Sequence, residues 1–310
     1  MAQTPVSGTD CLQFEIPGKK GSIQFIQVGA DTSAVLPALI FLQGSQPVPL
    51  IIGTDEYKHV VLPFDYQKVA EKFHLFVIAM PNTPVEAVIS ALDENSCFVI
   101  DHDEPNSYDP EYLRNNVLEN YVERTHRVID EIVSLNHING QVHMAGHSQG
   151  AKIAAVVASE NPDVKSVALL AFNAFGRYDE RIRSDRHALK SSKISGEQYQ
   201  QRLADHYGRW QHIQQDPDDY ASGNNAWVSF SIDYLPFLLK TDIPLWVGYG
   251  TEDISAENCD LLPLHFISAG KENLQLKPYA GWDHNFFDNE GTMHWNTVME
   301  DVVEWLKAVE

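Results

Sequence analysis

The feature that most restricts the fold of this 310-residue chain lies near its middle. An apolar run at 142–145 leads into Gly146-His147-Ser148-Gln149-Gly150, and an alanine-rich segment at 151–158 follows at once. A G-x-S-x-G pattern between a strand and a helix describes a sharp turn that lifts a serine hydroxyl above the C-terminal end of the strand. The flanking glycines are needed because a Cβ would collide with the neighbouring strand and helix. The N-terminus of the following helix is aimed at the same point, where it stabilises developing negative charge. Such a unit calls for a mostly parallel sheet covered by helices.

The rest of the chain alternates in the same way. Residues 12–16 and 22–28 read as two alternating strands around the Pro17-Gly18 turn. Short apolar runs at 38–42, 75–80, 142–145, 167–172, 245–248 and 274–277 complete eight strands. Leu113, Val117, Tyr121, Val128, Ile132 and Leu135 recur at helical spacing over 111–135. Trp295, Val298, Met299, Val302, Val303 and Leu306 form the apolar face of a C-terminal helix.

Two segments break the alternation. Residues 83–110 show no clear period and include the acidic stretch 101–104; they read as a solvated loop that ends where a helix starts near Asp109-Pro110. Residues 176–241 are longer and unlike the core. Their first half carries Arg177, Arg181, Arg183, Arg186, Lys190, Lys193, Arg202 and Arg209, and their second half is aromatic. A small helical subdomain at one end of the sheet is the simplest reading, with its basic face either solvated or facing an anionic substrate.

Forty-three acidic against 22 basic residues give a net charge of −21, which repels phosphate backbones and excludes nucleic acid as an expected partner. Cys11, Cys97 and Cys259 lie far apart, in no metal-ligand spacing, so neither a metal nor a disulfide framework is expected. No apolar run approaches the ~18 residues of a membrane span. The first ten residues lack a basic and an apolar signal region. The expectation is a cytoplasmic protein, or an exported one whose signal peptide was removed before this numbering begins; the oligomeric state stays open.

A serine hydroxyl is a weak nucleophile and needs a base. His284, in a loop between the last strand and the last helix, is placed for that role; His294 is its rival. Asp253, after the seventh strand, is placed to hold the imidazole tautomer, with Glu252 as its competitor. An oxyanion would be met by the backbone N–H of Gln149 and by that of Ser45, after the third strand, where Gly44 permits a sharp turn. Trp227, Phe230 and Tyr234, spaced i, i+3, i+7, read as one helical stripe that lines an acyl pocket or forms the subdomain's own core.

These residues resemble the α/β-hydrolase-fold serine hydrolases, a superfamily of esterases, lipases and peptidases. The chain order Ser148, Asp253, His284 matches, and the insertion follows the sixth strand. The resemblance implies an eight-stranded, mostly parallel sheet flanked by helices, a core of 1–175 and 242–310, and a helical cap of 176–241. It implies Ser148 as nucleophile, His284 as general base and acid, Asp253 as its orienter, Gln149 and Ser45 as oxyanion donors, and no cofactor. Many members carry His-Gly where this chain has Gln43-Gly44. The expected substrate is a small-molecule ester or other acyl compound. A prolyl-peptidase-like peptidase or amidase, and a non-catalytic binding protein on the same fold, are the other readings.

Overall fold

The computed structural model describes residues 3–29, 31–54, 56–104 and 106–309. In chain order the elements are β1 (Gln3–Pro5), β2 (Cys11–Gly18), β3 (Gly21–Val28), β4 (Leu36–Leu42), β5 (Ile51–Gly53), β6 (Lys58–Val60), α1 (Tyr66–Ala70), β7 (His74–Ile78), β8 (Glu86–Val88), α2 (Pro110–Asn115), α3 (Leu118–Ile132), β9 (Ile138–His147), α4 (Gln149–Glu160) and β10 (Val164–Leu170). The chain continues through α5 (Arg177–Lys190), α6 (Gly196–Gln215), α7 (Asn224–Phe230), α8 (Leu235–Lys240), β11 (Leu245–Gly250), a 3-10 helix (Ile254–Leu261), α9 (Leu262–Ser268), β12 (Leu274–Tyr279) and α10 (Trp295–Val309). The main sheet runs β1-β2-β3-β7-β4-β9-β10-β11-β12. The six strands from β7 to β12 in that order are parallel to one another, and β1, β2 and β3 add an antiparallel edge.

The two-residue side-chain period of a strand sorts the core into two layers. Ala38, Ile40 and Leu42 of β4, Val142 and Met144 of β9, and Leu245 and Val247 of β11 pack on one face with α3, α4 and α8. Leu39 and Phe41, Ala145, and Trp246 from the same strands point to the other face, against Val69 of α1 and Val298, Met299 and Val302 of α10. This is the α/β-hydrolase fold: a large, mostly parallel sheet with helices on both sides. Because the parallel strands all end at one edge, the segments after β4, β9, β10, β11 and β12 gather there.

The sheet has nine strands, one more than the sequence reading. The extra strand, β1, is three residues long, fully exposed and contains Pro5, so it carries neither alternation nor burial as a signal. Residues 51–60 and 86–88 also build a small second sheet, β6-β5-β8, of which 86–88 lie inside the segment 83–110 that read as a loop. Three-residue strands are too short to show a period.

The helix expected over 111–135 is two. It breaks at Asn116 and Val117, where Val117 is extended and offers no side-chain cap. The Ser229 hydroxyl of α7 accepts from the Leu118 N–H instead, a cap supplied from 111 residues away. The start of α2 follows the sequence reading: Asp109 accepts from the Glu111 N–H at 2.7 Å, with Pro110 at the first helical position. Among the described residues no helix is long and apolar enough to cross a membrane.

One close approach holds the Ser148 turn against the sheet. A Cβ on Gly150 would lie 2.1 Å from the Leu42 carbonyl oxygen and 2.6 Å from that of Gln43, both backbone atoms. Gly150→Ala is therefore expected to lower the unfolding free energy by about 1–3 kcal/mol, as overpacking does. Urea unfolding followed by circular dichroism checks it: the midpoint falls and the slope is unchanged.

Candidate active site

Ser148 occupies the turn between β9 and α4 with φ 55° and ψ −114°, a left-handed conformation that costs a non-glycine residue of order 1–3 kcal/mol. Its N–H donates to the Leu170 carbonyl at 2.9 Å, which ties the turn to the end of the neighbouring strand. The side chain is half-buried, and its Oγ lies 3.0 Å from Nε2 of His284.

His284 reaches Ser148 because its loop is held against the end of β11. A Cβ on Gly250 would sit 2.1 Å from the Trp282 carbonyl oxygen, so only glycine admits this approach. The Glu252 N–H donates to that same carbonyl at 2.9 Å, and Gly281 N–H donates to the Thr251 hydroxyl at 2.9 Å. On the other side the His147 Nε2–H donates to the His284 carbonyl at 3.0 Å. His147 adjoins Ser148 in the turn, and it acts on the backbone of His284. Burial, reinforced by His284, pushes its pKa down to about 4, so at neutral pH it is a neutral donor.

Asp253, only 4% exposed, caps the 3-10 helix after β11. Its Oδ2 lies 2.8 Å from His284 Nδ1. Its Oδ1 accepts from the Ser255 hydroxyl at 2.6 Å and from the Ser255 N–H at 2.9 Å. The Ser255 oxygen is in turn 3.0 Å from His284 Nδ1, so the Nδ1–H is shared between Asp253 and Ser255. With Nδ1 protonated, Nε2 is left as the acceptor for the Ser148 hydroxyl. Ser255 went unnoticed in the sequence; its signal is a serine two residues after the acid, the spacing of a side chain that caps its own turn.

The electrostatics follow from these bonds. Burial works against the imidazolium, but the hydrogen bond and charge of Asp253 outweigh it and raise the His284 pKa above its ordinary value. For Asp253 burial works against the carboxylate, and the bonds from His284 and Ser255 overcome it, so its pKa is lowered.

A cleft of about 650 Å³ opens over Ser148 and His284, with Tyr108, Tyr112, Lys152, Arg177, Glu180 and Trp227 among its walls. A second lobe of about 430 Å³ shares Ser45, Ser148 and His284 and is otherwise largely apolar, with Phe41, Val48, Val61, Pro63 and Trp295. Ser45 thus borders both lobes, and its carbonyl accepts from the Tyr112 hydroxyl at 2.8 Å. Among the described residues neither the Gln149 nor the Ser45 N–H is taken up by another acceptor. Gly44 is outside the left-handed region, and a Cβ there would meet only His147 Nδ1 at 3.9 Å, so the turn does not depend on it.

Of the aromatic stripe, Trp227 lines the larger lobe. Phe230 and Tyr234 do not: both are 0% exposed and belong to the core. The three share no helix, because α7 ends at Phe230 and Tyr234 precedes α8. Neither rival residue bonds Ser148 or the imidazole of His284 among the described residues. Glu252 is exposed. His294 bonds Asp288 at 2.9 Å and stacks on Trp282. The acidic stretch 101–104 is exposed, and among the described residues no group of three His, Cys, Asp or Glu could hold a metal ion. All three cysteines are buried and unpaired with one another.

The fold is that of the α/β-hydrolases. No protein-family model matches it, and no curated protein matches it by sequence. Solved structures do match by shape. Acetyl xylan esterase 1 from Thermoanaerobacterium superposes over 97% of this chain and 85% of its own, with a TM-score of 0.54 at 13% identity. Naproxen esterase (carboxylesterase NP) from Bacillus subtilis superposes over 96% of this chain and 92% of its own, with a TM-score of 0.52 at 16% identity. Pyrococcus horikoshii acylaminoacyl peptidase gives a TM-score of 0.58 at 11% identity, and there this chain spans only 42% of the other's length. At such identities the likeness is one of fold.

The raised His284 pKa has a direct check. Titration of its ring protons by NMR should give a midpoint above 6.5, and Asp253→Asn should bring that midpoint down, because the carboxylate is what favours the imidazolium.

Proposed function

We propose that the protein is a serine hydrolase that cleaves carboxylic esters through an acyl-enzyme. The observation that carries this reading is the unbroken row Ser148–His284–Asp253, with 3.0 Å and 2.8 Å links, at a strained turn in an open cleft. Ser148 Oγ attacks the ester carbonyl while His284 Nε2 takes its proton. The oxyanion is met by the N–H groups of Gln149 and Ser45. His284 then gives the proton to the leaving alcohol, and a water activated by the same nitrogen releases the acid. Asp253 holds the tautomer and stabilises the imidazolium; Ser255 holds Asp253.

The two lobes on either side of Ser148 suit the two halves of an ester, the smaller apolar one fitting a short hydrocarbon group. The segment 176–241 serves as a cap over a core of 1–175 and 242–310. Supporting this, Arg177, Glu180 and Arg181 of α5 and Trp227 of α7 wall the larger lobe. The last helix of the segment, α8, is the exception: it buries Leu238 in the core cluster that also holds residues of α4.

Ser148→Ala should lower kcat on p-nitrophenyl acetate by at least about 10⁴-fold with little change in KM, because it removes the attacking atom and leaves binding intact. A fluorophosphonate should label the native protein and spare the variant. Full activity in Ser148→Ala would end the proposal. A panel of p-nitrophenyl esters against aminoacyl-p-nitroanilides should favour the esters; preference for the anilides would make the protein a peptidase instead. The kcat/KM for esters should fall on the acid side with a midpoint above pH 6.5, since His284 accepts a proton only when neutral and its pKa is raised.

A further inference from the structure

The larger lobe holds a positive charge that the protein leaves unpaired beside the nucleophile. Lys152 stands one turn beyond Ser148 on α4, is 5% exposed, and bonds Glu180 at 2.9 Å. Arg177 opens α5 on the opposite wall and gives its Nη2–H to the side-chain oxygen of Gln149 at 2.7 Å, a neutral partner. Among the described residues Arg177 makes no ion pair. Its guanidinium lies over the Phe230 ring at 4.9 Å and near Trp227 at 5.7 Å, which fixes its position and removes water from one side.

The acids around the lobe are otherwise engaged. Asp253 serves His284 and Ser255. Asp283 accepts the N–H groups of Asn285 at 2.8 Å and Phe287 at 2.9 Å within its own turn. Glu180 is bound to Lys152, and its charge is what Lys152 and Arg177 have in common. Glu252 is exposed at the rim, as is the further cation Arg181. Glu180 is drawn to Lys152 at 2.9 Å, and among the described residues no carboxylate lies within ion-pair reach of Arg177, whose polar partner is the neutral Gln149 side chain. In a chain of net charge −21, a half-buried guanidinium with no acidic partner stands out. Burial works against the Arg177 charge, and an anion brought within reach would relieve that.

We propose that Arg177 anchors a carboxylate on the substrate, so that the preferred ester carries an anionic carboxylate within a few bonds of the scissile carbonyl. This rests on the serine-hydrolase reading above. Guanidinium and carboxylate meet as a planar, two-pronged pair, which lysine would not reproduce. Gln149 links the subsite to the reaction centre. Its side chain holds Arg177, and its backbone N–H is the proposed oxyanion donor. A substrate carboxylate docked on Arg177 is thus registered against the residue that follows the nucleophile.

The test uses the full chain and two matched pairs of esters. The acyl pair is p-nitrophenyl hydrogen adipate and p-nitrophenyl hexanoate. The leaving-group pair is 4-acetoxybenzoate and p-tolyl acetate. In one pair kcat/KM should favour the charged ester by at least about 10-fold, the size of a charge-assisted hydrogen bond of roughly 1.5–3 kcal/mol. The pair that shows it tells which half of the ester carries the carboxylate. That ratio should collapse in Arg177→Gln, mainly through KM, return in part in Arg177→Lys, and shrink as salt rises. Ratios near one in both pairs of the native protein overturn the inference whether or not the variants fold, and so does a preference that survives in folded Arg177→Gln. Fluorophosphonate labelling at Ser148 and turnover of p-nitrophenyl acetate report separately on the hydrolase reading. If both persist while the charge preference is absent, only the anchor falls; if both are absent, both readings fall.

Discussion

Everything at the edge of the sheet depends on how closely the backbone of the Ser148 turn approaches its neighbours. The turn is strained, with φ 55°, and does not hold itself. Gly150 lets the start of α4 settle against the carbonyls that end β4, and the Ser148 N–H is bound by the carbonyl that ends β10. Two neighbouring strands therefore impose a conformation that the chain alone would avoid. The strain is tolerated because the surrounding backbone over-determines it.

The same device recurs on the partner loop. Gly250 at the end of β11 admits the carbonyl of Trp282, and that contact sets His284 at hydrogen-bonding distance from both Ser148 and Asp253. His147, kept neutral by burial, then clamps the His284 carbonyl from the serine side. The imidazole is thus held through its backbone by one neighbour of the serine and through its ring by Asp253 and Ser255. Both protonation sites are assigned by hydrogen bonding, which leaves Nε2 as the free acceptor facing the hydroxyl.

The cleft is built from chain far apart in sequence. Tyr112 of α2 holds the Ser45 loop, Ser229 of α7 caps α3, and α5 supplies Arg177 and Glu180. These contacts couple the helical segment after β10 to the elements that carry the candidate site residues. They also place one set of aromatic and cationic side chains opposite the apolar lobe, so that the two sides of Ser148 differ in chemistry.

Much of this was legible in the residues. The eight longer strands, the C-terminal helix and the strand–turn–helix around Ser148 carry either periodic burial or a continuous apolar run, as β7 and β11 do, and both are signals that sequence retains. The candidate residues Ser148, Asp253 and His284 could be chosen because each follows a parallel strand, and parallel strands share one edge. What could not be read has a common cause. The strand Gln3–Pro5, the small second sheet and the break at Asn116 rest on three-residue pairings or on a cap borrowed from a distant helix. So do the fates of single side chains: Phe230 and Tyr234 sank into the core while Trp227 faced the cleft, and Ser255 and His147 took positions that only neighbouring loops could assign. Local pattern specifies which face of an element is buried; which residue then meets which depends on close approaches between backbones far apart in sequence, such as those at Gly150 and Gly250, and those exist only once the sheet has assembled.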